Sequence, residues 1–181
     1  ANAAEVLTPA KPMLAPKVHG RVLLQGSAGY KIAGICLHCL AVPGDWWRHK
    51  TNVEIVASIR RMHTAPTAQG GRGWSDIGYH AIVCPDGEVM PGRHVSRIGA
   101  GAIGYNRGWY HMVMVEVRTI DRTRLPEDHF TPATLASAKA EIERISNLTP
   151  IKRLMGHREV AAKLCPGSDI IDRDWTDRAV A

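Results

Sequence analysis

The sequence has a single phenylalanine, and aromatic residues make up only 6% of its 181 positions. Its lysines and arginines are scattered rather than gathered on one helix or interleaved with stacking aromatics, which argues against a reader of nucleic acid. No apolar run approaches the length of a membrane span. Nor do residues 1–30 contain the continuous apolar core of a signal peptide. The four cysteines, Cys36, Cys39, Cys84 and Cys165, are too few and too uneven for a secreted disulfide framework, so mainly reduced thiols are expected. There is no internal repeat and no low-complexity tract.

What is present is an ordinary globular composition, 45% hydrophobic and 22% charged. A chain of this length removes roughly 70% of its unfolded surface from water, enough for one domain without covalent staples. The net charge of +6 and a pI near 9.4 attract polyanions in general: nucleic acid, anionic lipid or the anionic polymers of bacterial envelopes. Charge alone does not choose among them, and a solvated basic surface is the better explanation.

Residues 1–30 are rich in alanine and proline (Pro9, Pro12, Pro16) and lead into QGSAGYK, with only residues 22–24 reading as strand. They are expected to form an arm lying on a domain of residues 31–181. Ile35 to Val42, ICLHCLAV, is short, apolar and bounded by Gly34 and Pro43, as a buried strand would be. In a strand His38 shares a face with Cys36 and Leu40 while Cys39 points away. The Cys36/Cys39 pair therefore cannot bridge or share a metal unless it opens a helix.

Thr51 and Glu54 make a capping box for a helix to about His63, with Val53, Val56, Ile59 or Arg60, and Met62 at helical spacing. A glycine-rich loop leads to a strand at residues 77–83, and Asp86-Gly87 turns it into a hairpin with Glu88 to Met90. HMVMVEVR, residues 111–118, reads as another strand. Thr131 with Pro132 opens a helix to about Asn147, with Leu135, Ala138, Ile142 and Ile145 as its apolar stripe. A last strand, Ile151 to Met155, follows. This alternation predicts a single α/β domain with a mixed central sheet flanked by helices.

The chemistry gathers in GHREVAAKLCPGSD, residues 156–169. His157 and Cys165 are zinc-ligand types, and Lys163 is a cation that could meet developing negative charge. His38 is the candidate third ligand, because a histidine in an apolar strand is costly unless its nitrogens find partners. On the residues alone, a satisfied core histidine is the better reading, and only the company of His157 and Cys165 reverses that.

Three segments, CLHCLAV at 36–42, GWSDIGYHAIVCPDGEVMPGR at 73–93 and GHREVAAKLCP at 156–166, resemble the zinc-dependent N-acetylmuramoyl-L-alanine amidases of type 2. That family includes small phage lysozyme-like amidases and peptidoglycan-recognition proteins, and the resemblance runs from about residue 32 to residue 175. It implies an α/β fold with the zinc site at one edge of a surface groove. It also implies His38, His157 and Cys165 as ligands to Zn2+, with water in the fourth position, and Tyr79 and Lys163 as catalytic residues. Gly104, Tyr105 and Asn106 would line the substrate groove. His80 is expected to be structural.

Two departures accompany it. Where the family often has GxHAxGYN, this chain reads GAGAIGYN, with Gly101 in the place of the histidine. Some relatives carry a zinc-water glutamate on the following strand; Met114 falls nearer that position than Glu116, whose alternatives are a base or an exposed strand residue. Trp46, Trp47, Trp74 and Trp109 could stack on sugars or simply pack.

The resemblance implies hydrolysis of the amide between N-acetylmuramic acid and L-alanine in peptidoglycan by an endolysin or virion-associated lysin. Its location would be the host cytoplasm until release to the cell wall at lysis, or the virion. The alternatives are a non-catalytic peptidoglycan-recognition module, against which Cys165 argues, and a polymerase-regulating homologue. A monomer is expected, with peptidoglycan as partner, other phage proteins as further candidates, and neither nucleic acid nor a membrane span. If the basic surface draws the protein to an anionic envelope, lysis should slow between about 10 mM and about 0.15 M salt, where the screening length shrinks from about 30 to about 8 Å. A turbidity assay across that range checks it, and a salt-independent rate would count against the idea.

Overall fold

The computed structural model of the protein describes residues 21–121 and 125–167. Its centre is β3, Gly34–Cys39, a strand buried at every position. Strands β6 (Trp109–Met114) and β7 (Arg153–Gly156) pair with it in parallel, one on each side. Beyond β6 lies β4 (Ala81–Val83), also parallel, and β5 (Val89–Pro91) closes the edge antiparallel to β4. The sheet is therefore mixed, in the order β5-β4-β6-β3-β7. Because it is covered on both faces, β3 can read as an unbroken apolar run.

Helix α1, Asn52–Thr64, covers one face and α3, Pro132–Leu148, the other; a short α2, Pro126–His129, precedes α3. On the α3 face Leu37, Cys39, Met112 and Met114 meet Ala138, Ile142 and Ile145. On the α1 face Ile82, Val113 and Val115 meet Ile55, Val56 and Ile59. The strand period of two assigns Cys36, His38 and His111 to the α1 side of the sheet. Cys36 and Cys39 thus belong to opposite faces, and all four cysteines are free thiols.

Expected and observed elements agree in kind and order, and differ at their ends. The first strand stops at Cys39 rather than Val42, because Glu116 takes the Leu40 and Val42 amides (3.0 and 2.8 Å) that a neighbouring strand would otherwise bond. The residue 77–83 strand is confined to Ala81–Val83, and its start is held instead by Arg93, which donates to the Ile77 and Asp76 carbonyls. The α1 capping box is present, but the buried stripe is Ile55, Val56, Ser58, Ile59 and His63. Val53 and Met62, expected inside, are 67% and 39% exposed.

The part of the expected arm within the described residues forms a hairpin of β1, Leu24–Gln25, and β2, Tyr30–Lys31. Its Gln25 is fully buried, donating to the Trp109 carbonyl and accepting from the Gly108 amide. Residues 1–20, and the stretch of the expected domain from 168 onward, lie outside the described residues.

Both reciprocal bonds of the α1 capping box are formed: the Thr51 hydroxyl accepts from the Glu54 amide, and Glu54 accepts from the Thr51 amide at 2.7 Å. Thr51→Ala should cost about 1 kcal/mol of stability. Urea unfolding with an unchanged slope is the measurement, and no loss would show that the cap is frayed in solution.

Candidate metal centre

The carboxyl ends of β3 and β7 deliver the first two polar groups. His38 is the penultimate residue of β3 and is 1% exposed, and His157 begins a tight turn immediately after β7. Their rings meet edge to face with centroids 4.8 Å apart. Cys165 arrives from the loop beyond, which folds back on itself: the Arg158 amide donates to the Cys165 carbonyl at 2.6 Å, and the Gly156 amide to Glu159 at 3.0 Å. The Cys39 amide points at Cys165 Sγ, 3.0 Å away.

One ligand atom each from His38, His157 and Cys165 falls within 4.8 Å of the others, and His38 Nδ1 stands 3.8 Å from Cys165 Sγ. Tetrahedral bonds of about 2.0 Å to nitrogen and about 2.3 Å to sulfur put ligand atoms roughly 3.3–3.5 Å apart, a few tenths of an ångström closer than His38 Nδ1 and Cys165 Sγ now stand. The donor set and its spacing therefore fit a metal ion with three protein ligands.

Protonation favours the same use. The Cys165 thiol is pushed well down, foremost by a hydrogen bond from Cys39 and further by His157 and His38, against the opposing pull of burial. Cys39 is raised by that same bond and by burial, so it stays the donor. Burial, above all, lowers His38 and keeps its imidazole neutral.

A cavity of about 580 Å³ opens over this group, lined by Tyr79, His157, Lys163 and Cys165 together with His63, Arg72, Trp74, Gly101 and Asn106. Tyr79 lies with its ring 5.1 Å from that of His38. Burial and then the negative charge at Cys165 raise its phenol, which remains protonated. Lys163 is exposed and also lines the cavity. Among the described residues no carboxylate lines the cavity.

The remaining expectations divide. Asn106 lines the cavity, yet its Oδ1 is occupied by the Gly101 and Ala102 amides at 2.9 and 3.0 Å. Gly104 sits at an exposed turn with φ +82°, and Tyr105 packs edge to face on Trp109, both away from the cavity lining. His80 is structural: its Nδ1 accepts from the His111 amide at 2.9 Å. Glu116 is neither exposed nor at the cavity; it is fully buried and holds residues 40–42, where Ala41 has φ +58°. Met114 packs in the α3-side core, and Val113 is the residue opposite His38.

Sequence reasoning passed over His63, Arg72 and His111. His63 accepts from the Gly78 amide at 3.0 Å and packs between Trp74 and Tyr79. His111 Nδ1 is 2.9 Å from His38 Nε2. The signal for His111 was available, since the argument that singled out a histidine in an apolar strand at 38 applies equally at 111.

No family model matches the chain. Among curated proteins it is 31% identical to an endolysin of Enterobacteria phage K11 over 74% of this chain and 80% of that one. It is 30% identical to a human N-acetylmuramoyl-L-alanine amidase over 72% of this chain, matching 21% of that much longer protein. Among solved structures, Drosophila peptidoglycan-recognition protein LB superposes with a TM-score of 0.58 at 27% identity, covering 81% of this chain and 79% of that one. The chain belongs to the family of phage endolysins and N-acetylmuramoyl-L-alanine amidases, which also embraces the peptidoglycan-recognition proteins.

Because the Cys39 amide and the two imidazoles are already aimed at Cys165 Sγ, Cys165→Ser should abolish stoichiometric metal while the fold survives. Elemental analysis alongside circular dichroism tests this, and a serine variant retaining a full equivalent of metal would remove Cys165 from the set.

Proposed function

We propose that the chain is a zinc-dependent N-acetylmuramoyl-L-alanine amidase of phage lysis, cleaving the amide between the lactyl group of N-acetylmuramic acid and L-alanine. The observation that carries this reading is the grouping of His38, His157 and Cys165, the last two lining an open cavity and the first buried behind them, in a chain of the endolysin and amidase family. A structural metal site would be closed by a fourth protein ligand, and three ligands beside a cavity leave a position for water.

In this reading His38, His157 and Cys165 hold the ion. Zinc when bound supplies Lewis acidity and makes a water acidic enough to ionise near neutral pH. The chain's own groups do the rest. Lys163, exposed at the cavity, would serve as a donor for the negative charge that develops on the substrate carbonyl oxygen. Tyr79 Oη keeps its proton and so orients, by donation, whatever oxygen occupies the site. With Arg72 and Lys163 on its walls and no carboxylate among the described lining residues, the cavity favours an anionic, carboxylate-bearing substrate such as a peptide stem.

A recognition-only module is the second reading, kept open by the structural likeness to Drosophila peptidoglycan-recognition protein LB. The intact Cys165 favours the enzyme.

Digestion of purified peptidoglycan should release L-alanine amino termini without new reducing sugar ends, and a zinc chelator should stop it. Reducing ends alone would mark a glycosidase, and tight binding without turnover a recognition module. Lys163→Ala should keep zinc and lower kcat by on the order of a hundredfold; an unaltered kcat would remove Lys163 from the chemistry.

A further inference from the structure

His111 occupies a place that the fold has been shaped to provide. It pairs with Cys36 in the β3–β6 register, two residues from the position opposite His38, and is fully buried. Its backbone is fixed on both sides by His80, whose amide donates to the His111 carbonyl at 2.8 Å and whose ring accepts from the His111 amide. Its ring lies over the 99–102 loop. A Cβ at Gly99 would come within 2.6 Å of His111 Cδ2, and one at Gly101 would fall on Nδ1. Neither glycine has a positive φ, so the backbone does not require them; the imidazole does.

A buried imidazole is costly unless it bonds, and this one has a single well-formed side-chain bond, Nδ1 to His38 Nε2 at 2.9 Å. Among the described residues its own Nε2 has no hydrogen-bond partner. His38 meanwhile turns Nδ1, not Nε2, toward Cys165. The two ring nitrogens of His38 are thus divided between the metal group and His111.

We infer that His111 is the positioning residue of the metal centre: it accepts the Nε2 proton of His38, locking the tautomer that leaves Nδ1 bare for the ion. This rests on the zinc reading above. Metal-bound histidines depend on such an outer partner to fix ring orientation, and its loss commonly costs about 10–100-fold in metal affinity. The partner is usually a carboxylate or carbonyl; here an imidazole serves, and the GAGA loop is hollowed to admit it. The residue acts through His38 and does not touch the cavity.

The test is zinc affinity by chelator competition, with circular dichroism as the fold check. His111→Asn, whose Oδ1 can stand near the position of Nδ1 as an acceptor, should stay within about threefold of wild type, whereas His111→Leu should weaken zinc about tenfold or more. Wild-type affinity in folded His111→Leu overturns the inference while leaving the zinc reading intact; failure of the wild-type chain itself to bind zinc overturns both. Equal losses in the asparagine and leucine variants would make His111 mere packing, and two zinc ions per chain would make it a ligand with Cys36; either overturns the proposal. If His111→Leu does not fold, the pair Gly101→Ala with His111→Gly carries the test, since it refills the loop and removes the acceptor. Zinc weakened about tenfold in that folded pair supports the inference, and wild-type affinity there overturns it.

Discussion

The constraint on which the rest of the molecule depends is an imidazole in the middle of a sheet covered on both faces. His38 is 1% exposed in the central strand, where an unpartnered ring would cost several kcal/mol, and the fold supplies both nitrogens with company. Nε2 meets His111 on β6, and Nδ1 faces Cys165 at the end of a loop that begins where β7 stops. The two strands that flank β3 therefore each contribute, directly or through the loop that follows, to one ring's surroundings. Glu116 fixes the backbone just beyond it, taking the Leu40 and Val42 amides so that the chain can leave the sheet at once.

From that arrangement comes a division of labour between rigid and exposed parts. The groups that would hold an ion come from the end of β3, the turn after β7 and the loop beyond it, and are braced through amides: Cys39 N–H on Cys165, Arg158 N–H on the Cys165 carbonyl, Glu159 on the Gly156 amide. The groups that would meet substrate, Tyr79 and Lys163, stand around the cavity. Precision in ligand geometry depends on such bracing, whereas a cation that meets diffuse developing charge tolerates an exposed lysine.

The glycine at position 101 acquires a different meaning in this setting. As a departure from the GxHAxGYN pattern it reads as a lost side chain. In the fold the space is filled from the neighbouring strand, because a Cβ at 101 and the ring of His111 would compete for one volume. An imidazole stands beside His38, but it is attached to β6 rather than to the loop.

Much was legible in the sequence because its signals are local. Thr51 with Glu54 and Thr131 with Pro132 mark helix starts through backbone amides only a turn away, and both helices begin where those residues indicate. The apolar run around His38 reports burial on both sides, and the order of CLHC, GYH and GHRE…KLC carries a family pattern. Strand ends, the face of α1 that turns inward, the buried role of Glu116 and the bond between His38 and His111 were not legible. Each depends on which strand lies beside which, and residues 38 and 111, 73 positions apart, become partners only through the β3–β6 register. The sequence by itself determined which side chains could bind a metal; the packing of β6 and β7 against β3 decided which nitrogen of His38 faces Cys165 and which faces His111.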